Sequence, residues 1–315
     1  WTTNDYAKFA DADYPVWLAK KRMIDDCNVG PLAVIGDSRA TTNIVPVKVG
    51  PGVVNLGLSG ASLLTMLEVS KRIVACPEPP KAVLITMDMR RFMDTDMFWE
   101  REVKYDLFPL DLEDIRVRAR QSGDVLLFEK PAPFDIDARL KNWLFQAKFP
   151  SYYFGSLLAG YVFLRAEVNQ GYLRDTLRDK GYHYFRDDTL GDNRVDYMAY
   201  RKHFAGSEFF ESYFGAMLDL YEAHHIPVYF ISAPGKTRAN QMMDPSFKSE
   251  YAAYLEKWVR LYPGLRVLGD IFPSLPPEDF TDRTHLNVLG AVVWSQEVAA
   301  LLAQARVDTG SFVGF

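Results

Sequence analysis

Five short apolar runs constrain this chain more than anything else in it. They are LAVIG (32–36), VVNL (53–56), AVLITM (82–87), PVYFIS (227–232) and LRVLG (265–269). Runs this short and this rich in Val and Ile read as strands. Between and around them, apolar residues recur at helical spacing over 14–26, 61–75, 206–225, 246–261 and 287–304. In SFKSEYAAYLEKWVRL (246–261), Phe247, Tyr251, Tyr254, Leu255, Trp258 and Leu261 carry that spacing. A strand that is apolar on both faces must be covered on both, and strand–helix alternation joins neighbours in parallel. The expectation is an α/β fold whose parallel sheet lies between two layers of helices.

Residues 92–205 break this rhythm. They are rich in charge and aromatics, and a structureless loop of that length does not suit a compact domain. We read them as a mostly helical insertion or cap after the third strand, within a single domain spanning 1–315. At 315 residues and 48% hydrophobic, the chain is long enough for one large core. Its net charge of -5 and the lack of a basic patch argue against nucleic acid as the partner. Aromatic residues, at 14%, either stack on sugar faces or fill the core. No apolar run reaches the ~18 residues that a membrane span needs. Residue 1 is Trp, so the sequence reads as a processed or trimmed chain, and whatever preceded it, an export signal or an anchor, is not readable from it.

Chemistry concentrates where strands end. The first strand runs straight into Gly36-Asp37-Ser38-Arg39. Asp and Ser are both good helix caps, which is one explanation. The other is a reactive serine at the carboxyl edge of the sheet, where α/β proteins bind and transform ligands. Far along the chain, DFTDRTHLNVLG (279–290) sets Asp282 three residues before His285. That spacing lets the carboxylate reach imidazole Nδ1, fixing the tautomer and leaving Nε2 free to accept a proton. After the second strand, NLGLSGAS (55–62) supplies glycines that bring a backbone N–H close to a developing oxyanion. All three loops belong to the same sheet edge.

Gly36-Asp37-Ser38, Asn55-x-x-x-Ser59-Gly60 and Asp282-x-x-His285-Leu286 together resemble the blocks of the SGNH (GDSL-type) hydrolase superfamily. The resemblance implies a flavodoxin-like three-layer α/β/α sandwich with a central five-stranded parallel sheet. It implies Ser38 as nucleophile, His285 as general base and Asp282 as its orienter, with the Ser38 and Gly60 amides in the oxyanion hole. One block departs. Where the family carries an asparagine after the third strand, this chain reads MDMRR, which puts Arg90 at that position. Arg90 is thereby a candidate oxyanion donor and, with Asp37 and Arg39, a candidate for holding substrate. Such departures are similar to those in SGNH-like proteins of envelope polysaccharide modification, among them alginate O-acetylation proteins and the D-alanyl transfer protein of teichoic acids.

The functional expectation is a serine esterase or O-acyltransferase acting on acetyl esters of an extracytoplasmic polysaccharide, without cofactor or metal. Its partners would be a carbohydrate or acyl-ester substrate and a membrane-bound acyl-transfer protein. Its place would be periplasmic or extracellular. A degenerate scaffold that binds polysaccharide or assembles a modification complex is the alternative, and a lipase or thioesterase a further one. GKT at 235–237 is no phosphate loop, because Phe230 stands where the first glycine is needed. His224 and His225 precede the fourth strand, at the opposite edge, and read as a helix C-terminal cap. His183 and His203 read as structural or solvated. Cys27 and Cys76 both fall at the amino edge, where a disulfide and two buried thiols are each compatible with their placement.

Overall fold

The computed structural model describes residues 11–94, 98–123, 140, 143, 164–185, 191–307 and 309. Its centre is a sheet of five strands, β1 (Leu32–Gly36), β2 (Val53–Asn55), β3 (Ala82–Thr86), β4 (Val228–Phe230) and, after a short strand β5 (Gly235–Lys236) that lies outside this sheet, β6 (Leu265–Val267). All neighbours are parallel and the spatial order is β2-β1-β3-β4-β6. This is the flavodoxin-like order, in which β1 and β3 flank the point where the winding reverses. Ligands bind at that point, beyond the carboxyl ends of the strands.

Alternation of side chains along each strand builds two cores. Ala33, Ile35, Val83 and Ile85 face a layer made by α1 (Asp13–Asp25), α4 (Leu63–Val74), α7 (Glu208–Ala223) and α9 (Pro245–Leu261). Leu32, Val34, Leu84 and Tyr229 face the other way, onto α10 (Val288–Gln304) through Ala291, Trp294, Val298 and Leu302. Two short helices, α2 (Ser38–Asn43) and α3 (Pro46–Val49), pack under α10 on that second face. The three-layer sandwich is thus what the sequence pattern leads one to expect, with strand and helix ends displaced by no more than two residues.

Some elements lacked a sequence signal. A two-stranded parallel pair, β5 (Gly235–Lys236) with β7 (Ser274–Leu275), and the helix α8 (Thr237–Met242) sit beside the sheet. Pairs this short carry no periodicity to read. Within 92–205, the described residues include a π-helical turn at Phe98–Val103, α5 (Leu112–Gln121), α6 (Arg165–Arg178) and a 3-10 turn at Tyr197–Tyr200. Residues 95–97, 124–139, 141–142, 144–163 and 186–190 of the proposed insertion lie outside the described residues. Helix α6 packs against α1. At the amino edge, Cys27 and Cys76 form a disulfide with their Cα atoms 5.5 Å apart, tying the end of α1 to the end of α4.

Candidate active site

The turn after β1 resolves the competition between capping and reactivity. Asp37, not Ser38, is the N-cap of α2: its Oδ1 accepts from the Arg39 N–H at 3.0 Å. The Ser38 hydroxyl is therefore free of the capping task. Gly36 makes the turn possible, because a Cβ there would lie 1.8 Å from the Thr86 carbonyl oxygen on the neighbouring strand.

His285 Nε2 lies 2.8 Å from Ser38 Oγ, across 247 residues of chain. Its Nδ1 lies 2.8 Å from Asp282 Oδ2 and 3.0 Å from Oδ1. Serine, imidazole and carboxylate thus form a continuous relay. Asp282 Oδ1 also accepts from the Thr284 and His285 backbone N–H groups, at 2.8 and 2.9 Å. Burial pushes this carboxyl upward, but the hydrogen bond and charge of His285 and the two amides outweigh it and hold Asp282 well below the usual carboxylate range. It stays ionised, and an anion at Nδ1 keeps the Nδ1 proton in place and Nε2 basic.

The loop carrying the relay is fastened in several places. Thr281 N–H donates to the His285 carbonyl, and Phe280 bridges Leu286 in antiparallel fashion, closing the Asp-x-x-His turn. The Leu286 N–H reaches Asn43 Oδ1 at the end of α2, while Ser295 Oγ on α10 donates to the Asn43 carbonyl. Helix α2, which carries Ser38, and the histidine loop are therefore bonded to each other directly.

The loop after β2 rides on α2. Gly57 is needed for this, since a Cβ there would stand 2.4 Å from Ala40 Cβ. Asn55 caps the far end of α2, its Nδ2 donating to the Ala40 and Ile44 carbonyls at 2.7 and 2.8 Å. The Gly57 carbonyl accepts from Thr41 Oγ1 at 2.8 Å and from the wholly buried Lys20 ammonium or amine. Burial pushes Lys20 far below its ordinary range. The Gly57 N–H is taken by Asn55 Oδ1. The N–H groups of Ser38 and Gly60, by contrast, have no acceptor among the described residues.

The charged residues flanking Ser38 are held in a buried ionic network. Asp37 is buried, and its Oδ2 accepts from Arg91 Nε at 3.0 Å and from the Asp88 N–H at 3.2 Å. Arg39 is buried between Asp88 and Asp196, 2.8 Å from each. Burial pushes Asp88 upward, but Arg39, Arg90 and Arg91 around it more than reverse that and hold it well below the carboxylate range. Asp37 and Arg39, both expected to hold substrate, are thus paired with Arg91, Asp88 and Asp196, and these pairs brace the ends of β1 and β3. Arg90, at the same edge, keeps its Nε 3.3 Å from Asp88 Oδ2 and remains 27% exposed. It is the half-buried member of that expected set, whereas Asp37 and Arg39 are buried.

Three contributors carried no usable signal in the sequence. Phe185 stands edge-on to the His285 ring, with centroids 4.7 Å apart, and shields it from solvent on that side. Asp196 reaches Arg39 from 157 residues away. Lys20 comes from the first helix. Only the polar DMRR run directly after β3 could have drawn attention to Asp88 and Arg91. Lys236 of the GKT segment is buried in an ion pair with Asp192 at 2.8 Å. His224 forms the C-cap of α7. His183, buried, stacks among Tyr172, Tyr184 and Phe185, and His203 pairs with Glu250 at 2.9 Å. Among the described residues, no three His, Cys, Asp or Glu side chains are grouped to hold a metal ion, and no helix is long and apolar enough to cross a membrane.

Compared with known proteins, the chain matches no family model, and no curated protein is similar enough in sequence to count as its relative.

Proposed function

We propose that this chain is a serine esterase or O-acyltransferase of SGNH type, acting on acyl esters of a carbohydrate outside the cytoplasm. The observation that carries the reading is the unbroken hydrogen-bond relay Ser38–His285–Asp282 at the switch point of a parallel sheet. In the reaction, Ser38 Oγ attacks the ester carbonyl as His285 Nε2 takes its proton. The tetrahedral oxyanion is met by the Ser38 and Gly60 N–H groups. Collapse breaks the C–O bond, and the imidazolium returns the proton to the departing alkoxide, leaving an acyl-serine. Water, or a sugar hydroxyl in the transferase case, then gives its proton to His285 and attacks the acyl carbon; collapse breaks the acyl C–Oγ bond as the imidazolium returns the proton to Ser38.

The disulfide supports an oxidising, extracytoplasmic location, because such bonds persist where thiols are not kept reduced. A polysaccharide-binding scaffold without turnover is the second reading, favoured by Arg90 standing in place of the family's asparagine and tied to Asp88. Hydrolysis of p-nitrophenyl acetate separates the two. Wild-type turnover that disappears in Ser38→Ala and in His285→Ala is the expected result, together with labelling of Ser38 by a fluorophosphonate. Turnover undiminished in both variants removes the relay from the reaction, and no turnover or labelling in the wild type favours the scaffold.

A further inference from the structure

The two edges of the central sheet are finished differently. Along β2, the outward Asn55 N–H donates to the Lys180 carbonyl and the Gly52 N–H to the Thr309 carbonyl, each at 2.8 Å. Along β6, no segment among the described residues does the same. The β4 side of β6 is served by alternate residues: the Val228 N–H donates to the Gly264 carbonyl and the Leu268 N–H to the Phe230 carbonyl, with Arg266 between them. Leu265 and Val267 therefore turn their backbone groups outward. The Leu265 N–H is taken by the Tyr262 carbonyl, whereas the Val267 N–H and C=O have no backbone partner among the described residues. Such an edge is a template for another strand.

Beside this edge lies a groove of about 610 Å³ between β6 and α9. Its α9 wall presents Glu256, Val259 and Arg260. Val259 is 37% exposed. Glu256 and Arg260 are exposed too, and their charged atoms are 3.7 Å apart, one helical turn from acid to base.

We infer that this face is the interface of a homodimer, in which β6 pairs antiparallel with β6 of a second copy about a two-fold axis. The axis sets Val267 opposite Val267, so that each N–H meets the other's carbonyl, as in any hydrogen-bonded antiparallel pair. Standing perpendicular to the sheet, it puts both copies of α9 on one face and runs them antiparallel. Glu256 and Arg260 then face Arg260 and Glu256 of the second copy, with the Val259 side chains between them. That charge order is what commits the edge to a second copy. A lone strand from another protein would satisfy the backbone and leave the acid and base of α9 unmatched. The two sheets join into one of ten strands, and their Ser38 sites open in opposite directions. The pairing is independent of what Ser38 does.

Sedimentation equilibrium of the intact chain from about 1 to 100 μM covers the weak end of interface affinities. A mass that rises with concentration to twice that of one chain is expected. Arg260→Glu sets acid against acid across the axis, Glu256→Arg sets base against base, and each should weaken the dimer at least about tenfold. Both side chains are exposed, so far-UV circular dichroism should not change. The double variant Glu256→Arg/Arg260→Glu reverses the order on both copies and should restore the dimer. Val267→Pro, which deletes the outward N–H alone, should also weaken it at least about tenfold. A wild type that stays monomeric at about 100 μM overturns the inference and leaves the edge to a strand of another protein. A dimer unchanged by Val267→Pro or by both charge reversals, or a double variant no tighter than the single ones, overturns it as well.

Discussion

Asp282→Asn isolates the part of the relay that geometry makes most exacting. In the native turn, Oδ1 accepts two backbone N–H groups, at 2.8 and 2.9 Å, while Oδ2 faces His285 Nδ1 at 2.8 Å. An asparagine keeps both backbone bonds only by leaving its oxygen at the Oδ1 position. Its amide NH2 then occupies the Oδ2 position and donates to Nδ1, which must become an acceptor. The imidazole proton moves to Nε2, the nitrogen 2.8 Å from Ser38 Oγ, and that nitrogen can no longer take the serine proton. A wrong tautomer in an otherwise intact triad lowers turnover by about 10⁴-fold, which corresponds to about 5.5 kcal/mol of barrier. The fold should be untouched, because the two amides that close the turn remain satisfied. The assay is kcat/KM for p-nitrophenyl acetate alongside a thermal melt. A variant that keeps its melting temperature and stays within about tenfold of wild-type turnover refutes the tautomer argument. Asp282→Ala, which also leaves two half-buried N–H groups without their acceptor, should lose melting temperature as well.

Other expectations follow from the buried groups around the relay. Arg91→Met leaves Asp37 as a buried carboxylate without its guanidinium and should cost about 3–5 kcal/mol in chemical denaturation; a change below about 1 kcal/mol would show that the pair does not brace the turn. Reduction of Cys27–Cys76, or Ala at both positions, reopens a 49-residue loop and should cost about 4 kcal/mol. For a 315-residue chain that is about 6 °C in Tm, so identical melts with and without reductant would contradict the estimate. Glu102, buried and bonded to the Ser62 N–H and hydroxyl, is pushed by burial from 4.5 to about 7. Because the native state holds this proton more tightly than the unfolded chain does, its stabilising contribution is complete below pH 4.5 and disappears as pH rises through 7, a change of about 3 kcal/mol. Glu102→Gln should flatten the slope of stability between pH 4.5 and 7, and an unchanged slope would exclude Glu102 as its source.

What the sequence by itself determined was local. Val- and Ile-rich runs of strand length and apolar residues at helical spacing depend on neighbours a few positions away, and they are enough to specify a parallel sheet between helices. The three strand-end blocks were legible for the same reason: each is a short pattern at the end of an element, and a parallel sheet puts all such ends on one edge. The roles within those blocks were not legible. Asp37 and Ser38 are equally good caps on paper, and only the folded turn assigns the cap to Asp37 and leaves the Ser38 hydroxyl to His285. Arg39 and Asp37 look available for ligand until β3 and Asp196 arrive beside them. Lys20 on Gly57, Phe185 on His285 and Arg283 on Tyr197 join segments whose separation in the chain says nothing about their distance in space. Such pairings are decided when apolar burial brings remote segments together, and charge, hydrogen bonding and ring packing are settled only among the neighbours that burial supplies.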